Sequence, residues 1–207
     1  AAFSDPQSAA DLIRNFLPEA YSQRIEGAEI SVDIKDYINR YLTEHHSDLL
    51  VTCRTAEKEL HFYFLYEHKS SPERDTLLIL ARAIIELTFD LLGKQTEAEE
   101  KGKDESSGTT EASASPPAKR GTTGYRWLPE IIPVILYHGS APWNYPKQFS
   151  EQIDCMDRNA KHLLSFEPFF IRLQNYDDEQ FTGSLKTVVG LMVLKYLSLE
   201  LDGKAAR

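Results

Sequence analysis

Two short runs rich in aromatic and branched apolar residues constrain the fold of this 207-residue chain most strongly. Residues 48–54 read DLLVTCR, residues 60–66 read LHFYFLY, and the mostly polar segment 55–59 separates them. Runs of this length and composition are typical of β-strands, and a short polar connection joins neighbouring antiparallel strands. The pattern therefore predicts a β-hairpin that begins at residue 48 and ends close to residue 67.

The remaining apolar segments predict helices and further strands around this hairpin. In chain order they are a helix over 8–16, a strand over 29–34, a helix announced by the capping sequence 70–73 that Gly93 ends, strands at 131–137 and 169–173, and a helix over 185–201. The core-facing residues predicted for the two longer helices are Leu77, Ala81, Ile84, Thr88 and Leu91, with Leu78, Ile85 and Leu92 beside them, and Val188, Val189, Met192 and Tyr196. Mixed α/β is the fold class that this order favours.

Residues 94–124 contain no Ile, Leu, Val, Met or aromatic residue. Such a segment cannot bury enough apolar surface to offset the entropy lost on ordering. We interpret it as a flexible insertion within a single domain that spans residues 1–207. Residues 96–98 are compatible with a short extension of the preceding helix.

Charge and cysteine content limit the class of protein. The net charge of −9 argues against a protein that coats nucleic acid non-specifically, so DNA contact requires a local basic patch. The two cysteines form no CxxC pair, and no run of 18 apolar residues exists. These features favour a cytoplasmic protein that does not cross a membrane.

Asp48, Glu67 and Lys69 lie at the ends of the predicted hairpin strands. Antiparallel pairing brings the start of one strand beside the end of the next, and two-residue spacing puts Glu67 and Lys69 on one face. Two carboxylates and an ammonium suit a divalent-metal site for phosphodiester cleavage, because Mg²⁺ prefers hard oxygen ligands. The same residues also fit a solvated ion pair, and the hairpin alone leaves both interpretations open.

Three sequence segments carry a resemblance to a known family. They are SDLL at 47–50, YEHKSSP at 66–72 and IPVILYHG at 132–139. In this order they resemble the bacterial recombination-promoting nuclease/putative transposase family, which belongs to the PD-(D/E)XK nuclease superfamily. The resemblance covers most of the chain outside 94–124. Many relatives carry Gln in place of Lys69, so this chain keeps the stricter E-x-K form. One departure from the family's pattern concerns the His-Asp-containing helical motif that usually lies upstream of the FSDP segment at 3–6.

The resemblance implies a restriction-endonuclease-like αβββαβ core, with a mixed central sheet flanked by helices. It also implies a divalent-metal-dependent DNA endonuclease linked to recombination, transposition or defence, with Mg²⁺, Mn²⁺ or Ca²⁺ as its cofactor. Within that activity Asp48 and Glu67 are the expected metal ligands, and the backbone carbonyl of His68 is a third. Lys69 is the expected catalytic ammonium.

Other residues and functions are left open by the sequence. Arg74, Arg82 and Arg126 are candidates for DNA contact, and Arg74 and Arg82 are eight residues apart on one helix face, although such stripes are more often solvated. The side chain of His138 is more typical of a turn hydrogen bond than of a DNA contact. The alternative function is a catalytically weak nuclease-fold module that binds or regulates in a mobile-element or defence system. Cleavage of RNA and assembly as a homodimer are further alternatives.

Overall fold

The described residues form five strands and four α-helices along the chain. The computed structural model describes residues 3–35, 48–55, 59–67, 74–105, 128–157 and 161–205. The elements are α1 (Pro6–Phe16), α2 (Glu19–Arg24), β1 (Glu29–Lys35), β2 (Asp48–Arg54), β3 (Glu59–Glu67), α3 (Thr76–Glu105), β4 (Glu130–Tyr137), β5 (Phe169–Arg172) and α4 (Leu185–Ala205). The predicted order is confirmed, and α2 is a short helix that the sequence did not predict.

All five strands belong to one mixed sheet in the order β1-β2-β3-β4-β5. β1, β2 and β3 are antiparallel, and the predicted hairpin is confirmed by Leu49 lying opposite Phe64 and Arg54 opposite Glu59. β4 and β5 run parallel to β3. Parallel neighbours need a crossover connection, and α3 lies in the one between β3 and β4.

Apolar residues on the two faces of the sheet pack into separate clusters. On one face Leu49 joins a cluster with Leu12 of α1 and Leu191 of α4. On the other face Leu50 joins a cluster with Leu80 of α3. Successive strand residues face opposite sides, so both faces of β2 are buried and helices flank the sheet on each side.

A buried carboxylate connects the first helix to the last. Asp11 is 3% exposed and accepts hydrogen bonds from the backbone N–H of Ser184 and the hydroxyl of Thr187, both at 2.8 Å. Gly183 has a φ of +116°, and a Cβ at that residue would lie 2.4 Å from the Asp11 carboxyl carbon. Only glycine fits there, and the close approach fixes the start of α4 against α1.

The course of α3 differs from the sequence prediction. The helix continues through Gly93 to Glu105, so the prediction that Gly93 ends it was wrong. A helical glycine costs only about 1 kcal/mol, and the residues after Gly93 are mainly Lys, Gln, Glu and Ala, which favour helix. The helix therefore includes residues 94–105 of the predicted insertion, while 106–124 lie outside the described residues.

The buried faces of α3 and α4 also differ from the predicted ones. Leu78 and Ile85 are more than half exposed, at 57% and 51%, whereas Leu80 is buried. Val189 and Tyr196 were predicted to face inward and are exposed. Both helices carry apolar residues around much of their circumference, so periodicity did not define one face. Despite this surface, no helix among the described residues has the length and apolar content needed to cross a membrane.

Candidate active site at one edge of the sheet

The ends of several strands meet at one edge of the sheet, which we call the site edge. Lys35 at the end of β1 lies opposite Asp48 at the start of β2. Glu67 at the end of β3 pairs with Tyr137 at the end of β4, and Tyr137 pairs with Arg172 at the end of β5. Ligand sites in open α/β sheets lie at the carboxyl ends of parallel strands. The site edge is therefore the part of the sheet best placed for chemistry.

The backbone register relates Asp48 to Glu67. Leu49 lies opposite Phe64, so Asp48 precedes this pair by one residue and Glu67 follows it by three. The two positions differ by two residues along adjacent strands, which corresponds to a Cα separation of about 8 Å. Strand alternation places both positions on the face of the sheet that carries Tyr137 and that α3 covers.

The other predicted site residues are placed only in part. Lys69, His68 and Arg126 lie outside the described residues. Arg74 lies just before α3 and is exposed. Arg82 is 47% exposed, and its Nε atom donates to the carboxylate of Glu86 at 2.8 Å. Arg82 is therefore paired with an acid one helical turn away. Arg74 lies near the start of α3, the helix that follows β3 in the chain.

Side chains from the end of β4, the end of β5 and the segment just after β5 hold the turn that follows β4. The hydroxyl of Tyr137 donates to the carbonyl of Ala141 at 2.8 Å, and Nη2 of Arg172 donates to the carbonyl of Ser140 at 2.9 Å. The side-chain amide of Gln174 donates to the carbonyl of His138. Three carbonyls of one turn thus have side-chain donors, and the turn is fixed against the site edge.

The sequence prediction missed Arg172 and Gln174. The available signal for Arg172 was its polar side chain near the carboxyl end of a predicted strand, because such residues lie at the site edge. Their targets lie 32 and 36 residues away in the chain, so sequence spacing gave no sign of these contacts. His138, interpreted from the sequence as a turn residue, is 2% exposed and is buried beside this turn.

An aromatic series extends outward from the site edge on the α3 side of the sheet. The rings of Tyr137 and Trp143 lie 5.4 Å apart in an edge-to-face contact, and those of Trp143 and Tyr145 lie 6.4 Å apart. Phe170 of β5 lies 4.8 Å from the Trp143 ring. Trp143 therefore packs against its aromatic neighbours. Tyr145, at the outer end, is 37% exposed.

The donor set at the site edge fits a hard divalent cation in its chemistry. Asp48 and Glu67 offer carboxylate oxygens, which are the ligands that Mg²⁺ and Ca²⁺ prefer. Their backbone positions lie two residues apart on adjacent strands. Among the described residues, no group of three or more His, Cys, Asp or Glu side chains is placed so that it could hold a metal ion.

Comparison with known proteins identifies the family. The family described as "Putative transposase, YhgA-like" matches residues 1–99 and 118–205. The chain is also similar to the Escherichia coli K12 protein named "Inactive recombination-promoting nuclease-like protein RpnE", with 22% identity over 167 residues. That match covers 80% of this chain and 46% of RpnE, so the chain spans about half the length of this relative. No solved structure matches the chain. With the family match covering most of its length, the chain belongs to the YhgA-like transposase family.

Proposed function

We propose that this chain is a divalent-metal-dependent DNA endonuclease that hydrolyses phosphodiester bonds at the site edge. The observation that carries the proposal is the register of β2 and β3, which brings the positions of Asp48 and Glu67 to one edge and one face of the sheet. The family supports a role in recombination or transposition, because its description names a transposase.

Each residue has a defined task in this proposal. Asp48 and Glu67 bind the cation through their carboxylates, and the backbone carbonyl of His68 is a third oxygen ligand. When bound, the cation supplies polarisation of the phosphoryl oxygen and a lowered pKa for a coordinated water. Lys69 orients that water by hydrogen bonding and stabilises negative charge that develops on the phosphate.

The surrounding structure keeps the site edge in place. The turn after β4 is held by Tyr137, Arg172 and Gln174, so one wall of the site is formed before substrate binds. Arg172 also places a permanent cation at the end of β5, on the same face as Tyr137. Arg74 and Arg126 are the proposed contacts with the DNA backbone, together with Arg82 if its pairing with Glu86 is exchanged for a phosphate.

The central test is nicking of supercoiled plasmid with Mg²⁺ or Mn²⁺. We expect cleavage by the wild type and a loss of about a hundredfold or more in Asp48→Ala, Glu67→Gln and Lys69→Ala, since each removes charge from the reacting centre. Glu29→Gln is the matched control, because Glu29 is an exposed carboxylate at the opposite end of the β1–β2 pair, opposite Arg54. Equal cleavage by all variants would remove the proposed site.

A catalytically weak binding or regulatory module is the second candidate function. The name of the relative RpnE describes that protein as inactive, and the net charge of −9 on this chain is unfavourable for DNA contact. Calorimetric titration with Mn²⁺ distinguishes the candidates without a cleavage assay. The nuclease proposal expects binding that Glu67→Gln weakens, whereas a wild type that neither binds the ion nor nicks plasmid favours the second candidate.

A further inference from the structure

A surface pocket lies beside the start of α3, on the face of the sheet that carries the site edge positions. Its volume is about 480 Å³, which is within the range of roughly 300–1,000 Å³ that ligand pockets occupy. The residues that define its chemistry are Arg74, Asp75, Leu78, Tyr145, Phe149 and Gln152. None of them was assigned a role in metal binding or hydrolysis.

The walls of the pocket combine flat apolar surface with hydrogen-bonding groups. Tyr145 is 37% exposed, and Leu78, predicted to face the core, is 57% exposed. The Phe149 ring is stacked on Phe166 at 5.1 Å, so it is held in a fixed orientation. Apolar rings with a few placed polar groups are what a planar heterocyclic ligand requires.

The polar groups at the pocket match a nucleotide rather than an uncharged ring. Arg74 provides a guanidinium that can bind a phosphate through two parallel hydrogen bonds. Asp75 provides an acceptor for an exocyclic amino group or a ring N–H of a base. The side-chain amide of Gln152 donates to the carbonyl of Arg74 at 3.1 Å, which ties the pocket's far wall to the segment before α3.

A series of aromatic contacts connects the pocket to the site edge. Tyr145 at the pocket contacts Trp143, Trp143 contacts Tyr137, and Tyr137 pairs with Glu67 across β3 and β4. A DNA strand bound at the site edge would therefore pass the pocket within a few nucleotides. An unpaired base can leave the stack and bind against aromatic side chains.

We propose that this pocket binds one unstacked base of a single-stranded DNA segment, with Tyr145 as the stacking surface and Arg74 as the ligand of its phosphate. The part of this inference that places the base near the cut rests on the proposed nuclease function. The binding itself does not require cleavage. It makes single-stranded or locally opened DNA the preferred substrate class over intact duplex.

The test is fluorescence anisotropy with a labelled single-stranded DNA of about 12 nucleotides, its duplex, and an abasic strand of equal length, all in EDTA so that nothing is cleaved. We expect the wild type to bind the base-containing strand about tenfold more tightly than the abasic strand or the duplex. Tyr145→Ala should remove this preference, and Tyr145→Phe should retain it. Arg74→Gln should weaken binding of both single strands.

Two further variants make the test independent of folding defects. Leu78→Glu places a negative charge at the pocket from an exposed position, so it should abolish the preference without disturbing the core. Arg54→Gln removes an equal charge at the other end of β2 and should change every affinity by less than about twofold. An abasic strand bound as tightly as the normal strand, or an unchanged preference in both Tyr145→Ala and Leu78→Glu, would overturn the proposal.

The plasmid assay separates this inference from the proposed function. Oligonucleotide binding with the expected base preference, but no nicking by the wild type, would reject the nuclease and retain the pocket. Nicking that depends on Asp48, combined with no base preference, would reject the pocket and retain the nuclease.

Discussion

At the scale of single residues, the structure separates side chains that hold the fold from those proposed to act on DNA. Asp11 is the clearest structural acid: it is buried and accepts hydrogen bonds from Ser184 and Thr187, with Gln7 donating to its other oxygen at 2.9 Å. A buried carboxylate with this many donors satisfies groups that would otherwise be unpaired away from water. Its role is therefore stability rather than metal binding.

Replacing Asp11 with Ala should destabilise the protein strongly. The change leaves the Ser184 N–H and the Thr187 hydroxyl without their acceptor, which costs about 2–4 kcal/mol in the free energy of unfolding. Urea denaturation followed by circular dichroism measures the loss. Asp33→Ala is the control, because Asp33 is an exposed acid in β1 and its removal should cost less than about 0.5 kcal/mol. Similar losses in both variants would contradict the role of Asp11.

The two cysteines should differ in reactivity. Cys53 is fully buried in β2, and burial raises the pKa of its thiol to about 11 from the usual 9.0. Cys155 is half-buried. At about pH 8 a thiol reagent such as dithiobisnitrobenzoate should label Cys155 in the native protein and both residues after unfolding.

The same shift has a consequence for stability at high pH. The folded pKa of Cys53 lies above the unfolded value. The contribution of the buried neutral thiol to the free energy of unfolding is therefore complete below pH 9.0 and is lost as the pH rises toward about 11. Cys53→Ala should therefore reduce the alkaline loss of stability. Rapid native labelling of Cys53, or an alkaline profile that Cys53→Ala leaves unchanged, would count against this.

At the scale of elements, strands were more predictable than helices. The observed strands begin and end within one residue of the predicted ones, because alternation and polar turns mark both ends of a strand. Helix α3 passed through Gly93, and the buried side of α4 depends on Leu191 and Thr187 rather than on the predicted Val189. These outcomes were set by the packing of neighbouring elements, which the local sequence does not contain.

The contact between α1 and α4 should weaken in acid. Asp5 caps α1 by accepting from the Ser8 N–H at 2.9 Å, and Lys186 of α4 donates to its carboxylate at 2.6 Å. The hydrogen bond from Lys186 is the main cause that holds the pKa of Asp5 well below its ordinary 3.8. The folded pKa is lowered, so this stabilisation is present above about pH 4 and is lost as the pH falls below it.

Asp5→Asn should remove that charge while keeping a good helix cap. We expect a loss of about 0.5–1 kcal/mol at neutral pH, since the pair is partly exposed, and convergence with the wild type toward about pH 2. Urea midpoints measured across this pH range give the comparison. Lys186→Gln should give a similar neutral-pH loss that does not add to that of Asp5→Asn. A difference that stays constant with pH would show that the ion pair is not responsible.

At the scale of the whole molecule, an acidic chain with a net charge of −9 is proposed to bind a polyanion. The sequence predicted the fold class and the hairpin that joins Asp48 to Glu67, because both depend on local patterns. It did not predict the wall formed by Arg172 and Gln174, because that wall exists only after β4 and β5 have paired. In this acidic field, a cation bound as proposed at Asp48 and Glu67 would add to the local positive charge that Arg172 supplies.

DNA binding should therefore depend on divalent ions even without cleavage. Ca²⁺ added to the wild type should raise the affinity for a duplex probe by about tenfold, since the ion reduces repulsion between the two carboxylates and phosphate. The double variant Asp48→Ala, Glu67→Gln should bind equally with and without Ca²⁺. Anisotropy at constant ionic strength gives both values. The same Ca²⁺ effect in wild type and double variant would place the ion elsewhere.

The turn after β4 has a mechanical consequence. Its carbonyls at His138, Ser140 and Ala141 all accept hydrogen bonds from side chains at the ends of β4 and β5 or just after β5. The turn is therefore held rigidly to the sheet and does not change its shape to fit a molecule that lies against it. A nucleic acid bound at the site edge, as proposed, would have to bend to fit this turn, so the choice of substrate would depend on how readily each stretch of its backbone deforms.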